Sequence, residues 1–239
     1  MKRLVALLAV AIVLATLSVP SYAQQASEDT YLRIPHHFTL FLDAGIGVGS
    51  SPVSFKEAWN AATPFQIGFG GSVLAWFDVN FVYSHITFGA NTLEMKRKIG
   101  FLGVDETEGG AITTNRYLGT ARFLAVPNQR VNPFFEIGLG LFQTSAQAVT
   151  VTGQEANSST DITFTNEMED VSGLSINFGG GIQYALNAKW SAYTKFIWTI
   201  NQNDDFAPGN LLLGPNEPPG EPDGNQVFSA ISVGMMIRL

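Results

Sequence analysis

The stretch that most restricts what this chain can become is its last, residues 226–239, QVFSAISVGMMIRL. Val227, Ile231, Val233, Met235, Ile237 and Leu239 share one parity, and Ser232, Gly234 and Arg238 share the other. A period of two with one apolar face is that of a β-strand. Chain ends of soluble domains fray into water, so an apolar strand end is out of place there. It fits a strand that closes a barrel and turns its outer face to lipid, where every backbone polar group must be paired within a closed sheet. That expectation requires further strands of the same kind upstream.

Seven are found. The first, 38–48, sets Phe38, Leu40, Leu42, Ala44, Ile46 and Val48 outward and Thr39, Asp43, Gly45 and Gly47 inward. The second sets Phe65, Ile67, Phe69 and Val73 against inner Gln66, Gly68, Gly70 and Ser72. In the third, Val79, Phe81 and Tyr83 are expected to pair with Val73, Gly71 and Phe69. A bulge near His85 is expected there, because Ile86 and Phe88 change parity. The fourth, 115–125, is the weakest by pattern. An outward Arg122 would cost about 2–4 kcal/mol near the bilayer midplane, so it is placed inward, with Tyr117, Gly119, Ala121 and Phe123 outside. The fifth, 132–142, has Phe135, Ile137, Leu139 and Leu141 outside and Glu136, Gly138 and Gly140 inside. A turn near Gln129 then puts Arg122 opposite Glu136. The sixth turns Ile176, Phe178, Ile182 and Tyr184 outward. The seventh turns out Trp190, Ala192, Phe196, Trp198 and Ile200, and turns in Ser191, Tyr193, Lys195 and Thr199. Its turn predicts Tyr193 beside Gly181 and Lys195 beside Gly179.

About eight strands of roughly 10–13 residues match the length that crosses a membrane at a tilt. The connections alternate. Residues 50–63, 90–114, 143–169 and 201–225 are expected as long loops, the first with one helical turn at 55–59, and with tight turns between them, an alternation typical of outer-membrane barrels. The fold class is therefore all-β: a transmembrane antiparallel up-and-down barrel. Trp76, Phe77, Tyr184 and Trp190 gather at the tight-turn end, and Phe65 and Trp198 at the loop end, as two interfacial aromatic girdles.

Residues 1–23 read as an export signal. Lys2 and Arg3 form its charged start, 4–19 its apolar middle, and Ser21, Tyr22 and Ala23 a cleavage site ending at Ala23. Residues 24–35 are expected as a periplasmic lead-in and 36–239 as the barrel. The chain carries 13 Lys+Arg against 20 Asp+Glu, and cleavage of the signal deepens that acidic balance. Nucleic-acid binding, which needs concentrated positive charge, is excluded. Cysteine is absent, so disulfides, thiolate metal sites, cysteine nucleophiles and a lipid anchor on cysteine are excluded as well.

Three segments carry a family resemblance. Residues 131–140, VNPFFEIGLG, look like a Pro-aromatic-x-x-x-Gly-x-Gly strand. Residues 178–184, FGGGIQY, with the strand from Trp190 to Trp198, look like the paired strands that follow it. Residues 232–239 look like a polar-x-Gly-x-x-apolar-x-apolar assembly signal. On these the chain resembles the OmpA/OmpX/OmpW-type eight-stranded outer-membrane barrel domains of Gram-negative bacteria. Leu239 stands where that family usually ends on an aromatic residue. The resemblance implies an outer-membrane location and contact with its lipid and lipopolysaccharide. It also implies delivery by periplasmic chaperones to the barrel-assembly machinery, which would read Ser232, Gly234, Ile237 and Leu239. No peptidoglycan-binding second domain is expected, and the barrel is expected as a monomer. Motifs of this kind specify fold and leave activity open.

Catalytic signals are thin. His36 and His37 stand at the mouth of the first strand, and Ser84 and His85 are neighbours that a strand turns to opposite faces. Asp43, Arg122, Glu136, Lys195 and Arg238 all face inward, as either a polar conduit or a set of ion pairs filling a narrow barrel; eight strands leave an interior that side chains just fill. Acidic loop clusters (Asp105 and Glu106, 167–170, Asp204 and Asp205) suit solvated loops as well as cation bridging to lipopolysaccharide. No metal and no cofactor is assigned. The expected role is structural or surface-interacting, with small-solute passage. The alternatives are a narrow passive channel, a lipid A-modifying enzyme and a soluble ligand-binding barrel. The last requires Phe69, Ile137, Phe178, Phe196 and Val233 to point inward.

Overall fold

The computed structural model describes residues 37–98, 103–127, 129–154, 161–213 and 224–239. The expected signal and lead-in, with His36, lie outside them. Eleven strands are formed: β1 (Phe38–Ser51), β2 (Phe65–Leu74), β3 (Phe77–Phe88), β4 (Gly103–Gly109), β5 (Ile112–Leu124), β6 (Val131–Ala146), β7 (Val149–Gln154), β8 (Asp161–Asn166), β9 (Val171–Ala185), β10 (Trp190–Gln202) and β11 (Gln226–Arg238). Eight of them close a barrel in the order β1-β11-β10-β9-β6-β5-β3-β2, every pair antiparallel. The closing seam joins β11 to both β10 and β1, and the Leu239 amide donates to the Phe38 carbonyl at 2.9 Å.

The barrel is apolar outside and polar within. Phe69 (51% exposed), Val233 (66%), Ile137, Phe178 and Phe196 all point outward, so the soluble-barrel alternative fails. Thr39, Asp43, Gln66, Arg116, Arg122, Glu136 and Lys195 are buried inside. In β1 the outward run from Phe38 to Val48 is ten steps. At about 3.3 Å each and a tilt near 40°, it rises about 25 Å, the height of the apolar band of a membrane barrel. Among the described residues no helix is long and apolar enough to span a bilayer. Ile137→Arg should therefore cost about 2–4 kcal/mol in a lipid-reconstituted unfolding titration, whereas Thr163→Arg on β8, away from the belt, should cost little.

Four expectations are corrected. β3 runs regularly to Phe88 with no bulge at His85, because the loop-end interior is itself apolar and Ile86 and Phe88 stay inward. The β2–β3 register is two residues from that expected: Val79 meets Gly71, Phe81 meets Phe69 and Tyr83 meets Ile67. Its turn closes more tightly, with an irregularity between Ser72 and Leu74. Tyr193 likewise meets Gln183, and Lys195 meets Gly181. The Asn187 side chain shapes that turn by accepting from the Lys189 and Trp190 amides, both at 2.9 Å. The long connections are also not plain loops, and barrel strands reach 16 residues.

Helix α1 (Val53–Ala58) and a 3-10 turn (Pro208–Leu212) pack at the loop end, α2 (Thr92–Lys98) leads toward β4, and β4, β7 and β8 form a separate sheet in the order β4-β7-β8. The two helices, the 3-10 turn and β7 share with the barrel mouth one apolar cluster that includes Phe55, Trp59, Phe88, Met95, Val151, Phe206, Leu211 and Phe228. Phe55 is its hub, with ring centroids 4.7 Å from Phe88, 5.6 Å from Phe206 and 6.0 Å from Trp59. The indole of Trp59 donates to the Gly110 carbonyl at 2.7 Å, so its one polar atom is satisfied on burial.

Candidate functional site

The alternation of each strand delivers one polar side chain per two residues to the lumen, and the register decides which of them meet. Arg122 on β5 stands directly across from Glu136 on β6. The Glu136 Oε2 accepts from Arg122 Nε at 2.9 Å and Nη2 at 2.7 Å. Its other oxygen lies 3.7 Å from Lys195 Nζ. Lys195 reaches Asp43 Oδ2 at 2.9 Å and donates to Gln66 Oε1 at 2.8 Å. The Tyr193 hydroxyl donates to the same Asp43 oxygen at 2.7 Å. Two cations and two carboxylates thus form one continuous, formally neutral set in the middle of the barrel. In a dry interior such charges persist only when paired in this way. Aromatic faces complete the shell: the Arg122 guanidinium lies 4.4 Å from the Phe134 centroid and 5.1 Å from that of Tyr193.

Four of the five predicted interior residues therefore meet. Arg238 stands at the tight-turn end of the last strand, paired in register with Thr39. Two interior charges escaped sequence reasoning. Arg116 is fully buried and donates to Thr199 Oγ1 at 2.7 Å and Ser84 Oγ at 2.8 Å, with its guanidinium 5.0 Å from the Phe228 ring centre. It shares the parity of Arg122, which was the available signal. Asp78, at the start of β3, is buried and opposite Arg122 in register.

Toward the loops, Gln226 gathers a neutral layer. Its Oε1 accepts from Asn201 at 2.7 Å and from Thr114 and Thr144, both at 3.2 Å. Above that layer lies the apolar cap. The inner glycines make room for neighbours instead of opening a passage. A Cβ at Gly181 would stand 2.8 Å from the Phe134 ring and one at Gly234 2.5 Å from that of Tyr193, while Gly45, Gly70, Gly140 and Gly179 lie against the backbone of the adjoining strand.

The other singled-out residues are placed as follows. Trp76 stacks on Phe123 and packs beside Phe77 at the tight-turn end, where Tyr184 and Trp190 are also exposed; Trp198 is exposed toward the loops. Ser232 is buried inward, Gly234 contacts Tyr193 and Asp43, Ile237 is half-buried, and Leu239 is exposed. Ser84 faces Arg116 in the lumen while His85 faces outward to Asn115 at 2.8 Å, on opposite sides of the wall. His37 lies 3.3 Å from the Leu239 carbonyl. Among the described residues no group of three or more acidic or histidine side chains is arranged to hold a metal.

An apolar exterior around a charge-paired lumen defines a membrane-spanning eight-stranded β-barrel, the fold that the OmpA-type resemblance implies. No family model and no curated protein matches the chain. Among solved structures it is similar to Neisserial surface protein A (12% identity, TM-score 0.49, covering 84% of this chain and 97% of that one). It is also similar to the attachment invasion locus protein Ail of Yersinia pestis (10%, 0.47, 86% and 100%) and to OprG of Pseudomonas aeruginosa (12%, 0.42, 88% and 99%).

Proposed function

We propose that this protein is an integral barrel of a Gram-negative outer membrane with a structural and surface-interacting role, exercised by its loop-end cap and not by flow through its lumen. The observation that carries this is the double obstruction: an apolar core across the mouth and paired charges across the middle. The export signal read at 1–23 and the terminal pattern of Ser232, Gly234, Ile237 and Leu239 support the location. Outer-membrane lipid and lipopolysaccharide are its surroundings, and periplasmic chaperones and the assembly machinery its partners during biogenesis. The barrel acts as a monomer. Catalysis has no place in this reading, and turnover of lipid A in reconstituted membranes would bring the enzyme alternative back.

Planar-bilayer recording tests it. The wild-type barrel should give no discrete conductance steps. Steps that appear in Glu136→Ala or Arg122→Ala alone would show that the ion pairs, and not the cap, close the lumen. Regular steps in the wild type would overturn the proposal in favour of a narrow channel.

A further inference from the structure

The relief of the lipid-facing wall drops at β5. On β5 the outward positions Gly119 and Ala121 are small, while the outward neighbours Val79, Ile137, Leu139 and Phe178 are large, and a groove of about 520 Å³ lies over them. Gly119 is unlike the other described glycines of the barrel strands. A Cβ built on each of the rest would come within about 3.1 Å of a neighbouring atom, whereas at Gly119 the nearest atom is the Leu139 carbonyl oxygen at 3.8 Å. Packing therefore does not require glycine at 119. A glycine inside a strand weakens it and marks places where something else approaches the backbone closely. The side chain best placed to cover it is turned aside: Phe81, the cross-strand partner of Gly119, packs its ring 5.5 Å from Phe69 on the other flank.

The groove runs across the wall from Val79 to Ile176 and Phe178, and the outward rows on its two sides differ. Toward the tight turns the next outward row is Phe77 and Phe123, with Trp76 packed against both. Toward the loops, the next outward row is the Tyr83–Tyr117 pair, with ring centroids 5.4 Å apart, and the row beyond is His85 and Asn115. There the Tyr83 hydroxyl donates to Asn115 Oδ1 at 2.8 Å, His85 Nδ1 lies 2.8 Å from the same oxygen, and Thr87 and Thr113 pair at 3.1 Å. Outward polar side chains on a membrane barrel belong at the level of the headgroups. Rows of equal parity are about 7 Å apart along a strand. The sequence of features down the wall is thus a polar row, an aromatic shelf, an apolar groove and an aromatic floor.

We propose that this groove is a binding site for one hydrocarbon chain of a membrane lipid in the leaflet on the loop side. The chain lies over Gly119 and Ala121 between Val79 and Ile137, and the lipid's polar end meets Tyr83, His85 and Asn115. The groove is continuous with the apolar belt, so its ordinary surroundings are acyl chains; what distinguishes it is the gap that Gly119 and Ala121 leave between larger outward neighbours. The inference goes beyond the proposed role of the cap and does not depend on it.

The test uses the full-length barrel reconstituted in phosphatidylethanolamine vesicles containing a trace of phospholipid with a photoactivatable group in mid-acyl chain. Cross-links are mapped to peptides in the wild type, in Gly119→Leu, which fills the groove, and in Asn115→Leu, which alters only the polar row. Heat-modifiable electrophoretic mobility shows that each variant is folded. Labelling should concentrate on 117–121 and 137–141 and fall about tenfold in Gly119→Leu, the ratio that ~1.4 kcal/mol of lost preference gives. Asn115→Leu should give a smaller fall and a spread of labelling along the wall. Uniform labelling around the belt, unchanged by Gly119→Leu in a folded barrel, would overturn the proposal. So would protection of the groove that rises with protein density alongside cross-linked dimers, since that would assign the surface to a second copy of the chain. The open space at Gly119 makes its leucine variant foldable; should it nevertheless fail to fold, Ala121→Leu fills the same groove from the next row and is read in the same way.

Discussion

Glu136→Ala is expected to lower the unfolding free energy of the lipid-reconstituted barrel by about 3–5 kcal/mol, the range seen when one member of a buried ion pair is removed. The reason is specific to this lumen. Glu136 accepts from Nε and Nη2 of Arg122 and stands 3.7 Å from Lys195, so its loss strips Arg122 of its bonded carboxylate and leaves Asp43 as the carboxylate paired with Lys195. Removing both charges together should be far less costly. Arg122→Met with Glu136→Leu leaves Asp43 and Lys195 as a complete pair and puts apolar volume beside Phe134 and Phe41. Urea titration in vesicles, followed by the mobility shift of the folded barrel, compares the two. Equal destabilisation by the single and double changes would show that packing, and not unpaired charge, sets the cost.

Phe55→Ala should act on a different unit of the structure. The phenyl ring is fully buried where α1, β3, the 3-10 turn and the lumen mouth meet, and truncations of this kind cost about 3–5 kcal/mol. The barrel itself does not depend on that ring, because its strands are held by their own ladders and by the lumen pairs. The loss should therefore appear as local opening of the cap. Protease should cleave within the loop-end segments at a greatly increased rate while the heat-modifiable mobility of the barrel stays the same. Hydrogen exchange should separate the two regions, with faster exchange at the Lys56 and Met95 amides, which lie in the cap, and unchanged exchange across β9 and β10. A global loss of folded barrel on Phe55→Ala would show that cap and barrel form one cooperative unit. If the same variant became conducting in a planar bilayer, the cap, and not the paired charges, would be the obstruction that closes the lumen.

Which face of each strand meets lipid was readable from the residues alone, because parity is local: two successive side chains cannot share a face. The same property placed Asp43, Arg122, Glu136 and Lys195 in the lumen before any coordinates, and the cost of an arginine in lipid chose the phase of β5 where pattern was weak. The pairing of Arg122 with Glu136 followed from a turn whose centre was correctly placed. Where the turn centre was off by one residue, at β2–β3 and β9–β10, every pair shifted by two and parity gave no warning. Parity also misled at Ile86 and Phe88, since apolar residues facing inward look like a change of phase unless the mouth is known to be apolar. That mouth was decided only by tertiary structure. Phe55, Phe88, Phe206 and Phe228 are separated by long stretches of chain, and their burial depends on loops folding over one another, a non-local event that no period reports. The meeting of Lys195 with Asp43, Gln66 and Glu136 was likewise beyond reach, because it depends on how the closed barrel brings strands that are not hydrogen-bonded neighbours toward one axis.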